Sequence, residues 1–514
     1  MKHLLIVTLT LLVFFSGCSK NPVTGESEFT LITEKHEIEI GESSYYNMRQ
    51  MEGGDYLTVD DIQEYVSNVG QKIALNSDRP DLPYEFSVIN NDTPNAWALP
   101  GGKISINRGL ILELENESEL AAVLAHEIVH SAARHTAQRM ERQIFMQTGI
   151  LGLGMATQDN NYGAILTKSA LLGSQLISFK YSRKAELEAD KYGIKYMAHS
   201  GYDPEAAVTL QKKFLALSDS NEPSWTKGLL ATHPPSQERI DENIKTAAQY
   251  NIGGFLGYER YQEKISALRK QEECYPKISE GYKSLHDKNY PESIKLGQEA
   301  SKIAPKETYS YMLQGESYYL MEEYEKALKK LDQAIKYNSE MFYSHLLRGR
   351  TYIKLGNNDK AIEDLEKSIR LLPTHLAYLS LGKAEFYNGD IEQAKDHLSI
   401  AADSRDDGDN IALMAKMWLQ RINITDTPEN YIQFKYKSGL NNELILIYYN
   451  NSLLNIDSMT VDLHLDEKKI KTLYIDEKIK TNKVLEIKTG IKLSYNKEQI
   501  IKVDIFDIKP ENPQ

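Results

Sequence analysis

Four glycines most restrict what this 514-residue chain can fold into. Gly281, Gly315 and Gly349 are spaced by 34 residues, and Gly382 follows 33 later. A second column of small residues keeps the same phase (Ser293, Ala327, Ala361, Ala394), and a third runs Ala300, Ala334, Ser368, Ala401. Pro305 and Pro373 close two of the units. Small residues at one fixed phase let paired helices approach closely at the same level of every unit. Residues 275–420 are therefore expected to form an α-solenoid. Each helix pair in such a stack contacts only its neighbours and leaves a concave face open.

That period is the tetratricopeptide one, and the expected groove suits peptides or partner proteins. After Ile424 the pattern changes. Tyr431–Tyr436, Glu443–Tyr449, Thr460–Leu465, Val484–Ile487 and Ile500–Ile508 are short β-branched and aromatic runs. Ser438-Gly439 and Asn450-Asn451 supply turns between them. An all-β, sandwich-like domain over 425–510 follows, with binding or support as its expected role. Composition excludes several classes. A chain that is 41% hydrophobic and 26% charged is not intrinsically disordered. No window approaches the roughly 18 apolar residues a membrane-spanning helix needs, which rules out a multi-span protein. A net charge of -13 argues against a nucleic-acid partner, which asks for a basic face.

The first residues read as an address. Lys2 precedes the apolar run Leu4–Phe15, which suits a secretory signal over 1–17 and is too short to span a bilayer. Phe15-Ser16-Gly17-Cys18 resembles a bacterial lipobox, so Cys18 is expected to be lipidated and to anchor the chain to a membrane. Ser19 after the cysteine favours, by resemblance to such lipoproteins, the outer membrane with the protein facing the periplasm. Residues 18–32 are the expected tether, and Cys274 would be the sole free thiol, packed in the interior.

Between tether and repeats, residues 33–260 read as a helix-rich α+β domain. Helices are expected over 33–51, 59–74, 117–142, 177–200, 204–216 and 236–250, and a strand over 84–89. A hairpin over 95–106 should turn at Pro100-Gly101-Gly102. The chemistry sits in the longest of these helices, as His126-Glu127-Ile128-Val129-His130. Two histidines four residues apart lie on one helix face, one turn from each other, and can bind one zinc ion. Glu127 can then act as general base toward the metal's water. His135, nine residues from His126, falls on the far side of a continuous helix and is expected to be structural. A hydrolytic zinc site takes three protein ligands. The third is expected in Glu186-Leu187-Glu188-Ala189-Asp190, where Glu186 and Asp190 share a helix face. Glu186 can ligate while Asp190 fixes a ligand imidazole, and Glu188 points away.

These motifs carry a family resemblance. Asn95-Ala96-Trp97-Ala98-Leu99-Pro100-Gly101-Gly102, the H-E-x-x-H and Glu186-x-Glu-Ala-Asp190 are joined by Gly201-Tyr202-Asp203-Pro204 and Thr232-His233-Pro234-Pro235-Ser236-x-x-Arg239. Together they resemble the CAAX-prenyl-endopeptidase type of zinc metallopeptidase, a gluzincin-like fold. With the repeats the chain is similar to the BepA-like envelope branch, although the β segment has no counterpart there. The resemblance implies His126, His130 and Glu186 as zinc ligands and Glu127 as base. His233 becomes a histidine that gates the site or steadies the oxyanion. Asn95, Ala96 and Trp97 mark a strand edge to which an extended substrate adds. The stretch Gly149–Gly173 is expected to cover the cleft. The implied activity is zinc-dependent cleavage of unfolded or misassembled envelope proteins, with the repeats recruiting clients or envelope assembly proteins. The rival is an assembly adaptor or chaperone whose protease site is normally latent, for instance because His233 binds the metal.

Overall fold

The computed structural model describes residues 18–142, 180–220, 225, 228–250, 253–404, 410–493 and 501–513. The expected cover, Gly149–Gly173, and the signal segment 1–17 lie outside these residues. The chain divides into two compact units, Met1–Met341 and Phe342–Gln514. No helix among the described residues is long and apolar enough to cross a membrane.

In the first unit, β1 (Cys18–Lys20) pairs with β2 (Ser27–Phe29), so the stretch expected as an extended tether folds back as a hairpin. Helices α1 (Glu34–Met51) and α2 (Ile62–Ala74) follow, then β3 (Glu85–Ile89), β4 (Ala96–Leu99) and β5 (Lys103–Asn107). The sheet order is β3-β5-β4, with β3 parallel and β4 antiparallel to β5, which leaves β4 at an edge. The hairpin turns at Pro100-Gly101-Gly102, as its residues predict. Gly101 has φ 74°, and a Cβ there would meet the Ile38 Cα at 2.7 Å, so only glycine fits. The short helix α3 (Arg108–Glu113) leads to α4 (Glu117–Ala132), capped by Asn116, whose side chain accepts from the Glu119 N–H. Helix α4 crosses the sheet and is buried almost throughout, with Leu124, Ile128, Val88, Ile104 and Ile106 in one core.

The single helix expected over 117–142 is two. It breaks at Ala133–Arg134, where Arg134 takes φ 61°, and resumes over 135–142. A left-handed arginine costs roughly 1–2 kcal/mol locally, and tertiary contacts outweigh that cost. The Arg134 guanidinium donates to Glu37, to Glu28 and to the Ile32 carbonyl, and Asn21 Nδ2 donates to the Ala133 carbonyl at 2.8 Å. The N-terminal hairpin and the start of α1 thus supply the partners that end the helix, a long-range effect that periodicity cannot register.

Helices α5 (Arg183–His199), α6 (Glu205–Ser220), α7 (Gln237–Ala247) and α8 (Tyr258–Gln271) complete the α+β layer. Helix α5 starts at Arg183 after the Ser182 cap, which accepts from the Ala185 N–H; residues 177–179 of the expected helix lie outside the described residues. Two helix pairs follow, α9 (Cys274–His286) with α10 (Tyr290–Ile303) and α11 (Thr308–Leu320) with α12 (Tyr324–Tyr337). The Cys274 thiol is fully buried, as expected of a packed residue. Buried Glu307 ties these pairs to the preceding layer, accepting from Thr58, Tyr275 and Asn90.

The second unit begins with pairs α13 (Phe342–Lys354)/α14 (Asn358–Leu371) and α15 (His375–Asn388)/α16 (Ile391–Ala402), then α17 (Ile411–Asp426). The repeat glycines do what their phase implied. A Cβ on Gly315, Gly349 or Gly382 would meet Leu331, Leu365 or Leu398 of the paired helix at 2.7–2.8 Å. The β region follows as β6 (Ile432–Ser438), β7 (Glu443–Asn450), β8 (Ile456–Leu465), β9 (Lys468–Ile475), β10 (Val484–Lys492) and β11 (Ile501–Pro510). They form two antiparallel three-stranded sheets, β10-β7-β6 and β11-β8-β9, which share a core of Leu444, Leu446, Met459, Val461 and Leu463. Strand β9 escaped the sequence reading because it is an almost wholly exposed edge, rich in lysine.

Candidate metal centre

Helix α4 places His126 and His130 one turn apart, and their Nε2 atoms lie 3.0 Å from each other. Helix α5 packs tightly across them because Gly193 leaves room, its missing Cβ position lying 3.3 Å from the His126 backbone nitrogen. That approach brings Glu186 to the pair, with 3.6 Å from Glu186 Oε2 to His126 Nε2 and 3.5 Å from Oε1 to His130 Nε2. His233 enters from beyond the helical turn Leu229–Thr232. Its Nδ1 lies 3.0 Å from Glu186 Oε1 and 3.2 Å from His126 Nε2. Donor atoms of His126, His130, Glu186 and His233 all fall within 4.8 Å of one another.

These residues fit a metal ion on their geometry. A tetrahedral ion with bonds of about 2.0–2.1 Å has ligand–ligand edges of about 3.3–3.4 Å, close to the separations found here. Two imidazole nitrogens 3.0 Å apart must either be bridged by a proton or share a cation. The field favours positive charge at that point. Burial opposes an imidazolium at His126, but its hydrogen bonds to the Asp190 and Glu186 carboxylates outweigh it and carry the group up to about 10. Burial also opposes the Glu186 anion, yet Arg239 and His233 hold it well below the usual carboxylate range.

The surroundings fix the donors. Asp190 Oδ1 lies 2.9 Å from His126 Nδ1, as the i, i+4 pair with Glu186 implied. Arg239 bonds both acids. Its Nε and Nη2 donate to Asp190 at 2.6 and 2.7 Å, and its Nη1 lies 2.7 Å from Glu186 Oε2. The local sequence explains its reach. Ser236 caps α7 by accepting from the Arg239 N–H, and Pro234 O accepts from Arg239 Nη1, so the first turn of the helix aims the guanidinium inward. Glu127 is buried beside the donors, its Oε1 3.5 Å from His233 Nε2 and its Oε2 without any hydrogen-bond partner. Burial pushes its carboxyl above the ordinary glutamate value. An unpaired oxygen of this kind beside a metal-sized gap suits proton transfer.

Sequence reasoning assigned no role to Arg239, although it lies inside the Thr232–Arg239 motif. It also missed how His135 and Glu188 act. Because the helix ends at Ala133, His135 turns back to place its Nδ1 2.9 Å from His130 Nδ1, and its Nε2 meets Glu188 Oε2 at 3.1 Å. It stays outside the donor cluster and orients His130, as Asp190 orients His126. Tyr181 stacks on His130 with ring centroids 3.8 Å apart. Outer partners of this kind typically contribute ten- to a hundredfold to metal affinity. His135→Asn is expected to weaken metal binding by roughly that factor in a competition titration with a chelator; unchanged affinity would refute the orienting role.

The expected strand edge is present, with a correction. The Asn107 N–H donates to Asn95 O, which makes 95/107, 97/105 and 99/103 the hydrogen-bonded pairs. Ala96 and Ala98 therefore turn their main-chain groups away from β5. Trp97 does not: its main chain pairs with Ser105, and its ring is buried with Tyr45, Met48 and Leu99. Trp97 is a core residue of the edge strand. Asn95 Oδ1 is buried without a partner. Beside His126, Glu127 and His233, a small cavity of about 40 Å³ is walled by Val123, Ile194, Met197, Leu210 and Phe214.

Comparison with known proteins follows this geometry. Residues 61–247 match peptidase family M48. The chain resembles the M48 zinc metallopeptidases, as its motifs imply, and the matched segment holds every donor described above. A second match, to anaphase-promoting complex (cyclosome) subunit 3, covers residues 286–368, within the helix pairs. Among curated relatives, the putative beta-barrel assembly-enhancing protease of Vibrio cholerae is 32% identical over 217 residues, 40% of this chain and 44% of that protein. The beta-barrel assembly-enhancing protease of Escherichia coli K12 is 30% identical over 244 residues, 46% and 49% respectively. The mitochondrial metalloendopeptidase OMA1 of Schizosaccharomyces pombe is 32% identical over 230 residues, 44% and 66%. The likeness spans about half the length of the bacterial relatives.

Proposed function

We propose that the chain is a zinc-dependent endopeptidase acting on unfolded or misassembled cell-envelope proteins, anchored through a lipidated Cys18 at the periplasmic side of the outer membrane. The observation that carries this reading is the convergence of His126, His130 and Glu186 with the unpaired carboxylate oxygen of Glu127 beside them. When bound, zinc supplies Lewis acidity toward a substrate carbonyl and an attacking water. Glu127 accepts the water's proton at Oε2 and passes it to the leaving amine. Asp190, His135 and Arg239 hold the donor side chains in place. The outward main-chain groups of Ala96 and the Ala98 N–H pair with an extended peptide, which favours unfolded clients over folded ones; the Ala98 carbonyl already accepts from Thr136 Oγ1. The apolar cleft next to His126 accepts a hydrophobic side chain. Envelope assembly is the setting that the names of the bacterial relatives support, and the repeats recruit the clients.

One observation favours a latent form of the same enzyme. His233 Nδ1 stands within the donor cluster, where a fourth protein ligand closes the position a hydrolytic metal needs open. Metal content and degradation of an unfolded protein by the purified chain test both statements. Wild type is expected to hold one zinc and degrade slowly, and His233→Ala to keep the zinc and degrade severalfold faster. A chain that binds no zinc, or that never cleaves in either form, refutes the peptidase. A slower His233→Ala variant refutes the latch and leaves His233 as an oxyanion partner.

A further inference from the structure

Helix α6 buries Ala206, Leu210 and Phe214 in the core of the first unit. Gln211 lies on the same buried side and is 7% exposed. The buried stripe of a helix is ordinarily apolar, so a carboxamide there breaks the pattern. Its Oε1 is buried and has no hydrogen-bond partner. Gln211 lines the small cavity beside His126, Glu127 and His233. A second carboxamide lines it too. Asn243, one turn after Arg239 on α7, is 2% exposed. Apolar side chains, Val123, Ile194 and Phe214 among them, form most of the remaining wall.

A buried acceptor left without a donor costs stability. Here that cost falls at the wall of an opening next to the reacting centre, and a ligand that brings the missing partner removes it. Size limits what can enter. One water needs about 10–15 Å³ of such a cavity, so about 40 Å³ holds about three waters. That is the bulk of a threonine or valine side chain, and a phenylalanine ring is larger. Chemistry then separates the small side chains. A hydroxyl both donates and accepts, so it pairs with either end of the Gln211 carboxamide. Valine fills the same room and leaves the carboxamide unmet. Glu127 and Asp190 in the wall disfavour a carboxylate, and the long stems of lysine and arginine do not fit.

We propose that Gln211 sets the side-chain preference of the site. The cavity takes threonine, and next serine, from one residue bordering the cut bond. The hydroxyl pairs with the Gln211 carboxamide, and the threonine methyl packs on the apolar wall. The hydrophobic side chain assigned above to this place is thereby narrowed to a small one that carries a hydroxyl. The preference rests on the peptidase reading for its role.

The test begins with the full chain loaded with zinc and an unfolded protein, whose products are sequenced by mass spectrometry. Threonine and serine are expected to be enriched severalfold at one position bordering the cuts. Peptides built on a cut sequence then carry threonine, valine, leucine or phenylalanine at that position. Threonine should exceed valine at least about tenfold in kcat/KM, as when a site that pairs a hydroxyl meets an analogue lacking it. Phenylalanine should be cleaved least. Gln211→Met, similar in length and without the carboxamide, should lower the threonine-to-valine ratio severalfold. Valine cleaved as well as threonine by wild type, or an unchanged ratio in Gln211→Met, overturns the proposal. The same peptides are titrated by calorimetry against the zinc-loaded chain carrying Glu127→Gln. A threonine preference in binding with no cleavage by wild type faults the peptidase reading and keeps the role of Gln211. Cleavage without that preference faults Gln211, and neither binding nor cleavage of any peptide overturns both.

Discussion

Glu127→Gln is expected to leave the metal bound and to abolish hydrolysis of an unfolded protein. Glutamine has the shape of glutamate, and Glu127 is not among the converging donors, so the cluster of His126, His130 and Glu186 stays whole. What disappears is a base. General acid–base groups typically contribute about 10²–10⁴-fold, and this variant should lose at least the lower figure in turnover. Stability should change little. Burial already raises the Glu127 carboxyl, so the folded state gains little from its charge and a neutral isostere gives up little. Metal analysis, thermal unfolding and turnover measured together separate the outcomes. Zinc bound with wild-type cleavage refutes Glu127 as the base, and loss of zinc would show that Glu127 helps to hold the metal.

The second large effect is on stability. Arg239 is 4% exposed and stands between two buried carboxylates, Glu186 and Asp190. Removing one partner of a buried ionic network leaves the other uncompensated, at a cost of about 3–5 kcal/mol. Arg239→Met should lose about that much in denaturant unfolding. The loss should be larger in the presence of a chelator than with zinc added, because a bound cation restores part of the positive charge next to Glu186. The sign follows from linkage. Glu186 and Asp190 both have folded values below their ordinary ones. Their contribution is therefore present above the unfolded carboxylate range and is lost as pH falls from there through the lower folded values. Arg239→Met should remove that acid sensitivity along with the stability. A variant as stable as wild type without metal would show that the guanidinium is not what holds the two acids in place.

Much of the architecture was legible because it is periodic. The glycine and alanine columns of the repeats recur at a fixed phase, and Gly315, Gly349 and Gly382 each stand where a leucine of the paired helix leaves no room for a Cβ. The i, i+4 pairs His126/His130 and Glu186/Asp190 were legible for the same reason, since helical geometry alone puts each pair on one face. The misreadings share a cause as well. The break at Ala133–Arg134 depends on Asn21, Glu28 and Glu37, far away in sequence, and no local pattern announces it. Trp97 is expected, with Asn95 and Ala96, to mark the strand edge, but the parity of β4 against β5 decides which main-chain groups face out, and its ring lies in the core.

By itself the sequence determined which residues are candidates for the metal centre and that a stack of helix pairs follows them, because both are encoded in short or regular spacings. Only the tertiary structure decided what those residues meet. It turned His135 from the far side of a helix into the outer partner of His130, and made Arg239 the cation that holds Glu186 and Asp190 together. It also brought His233 into the donor cluster. The contacts of Arg239 and His233 cross dozens of residues, and that of His130 with His135 needs a helix break made by distant partners, so spacing along the chain does not contain them.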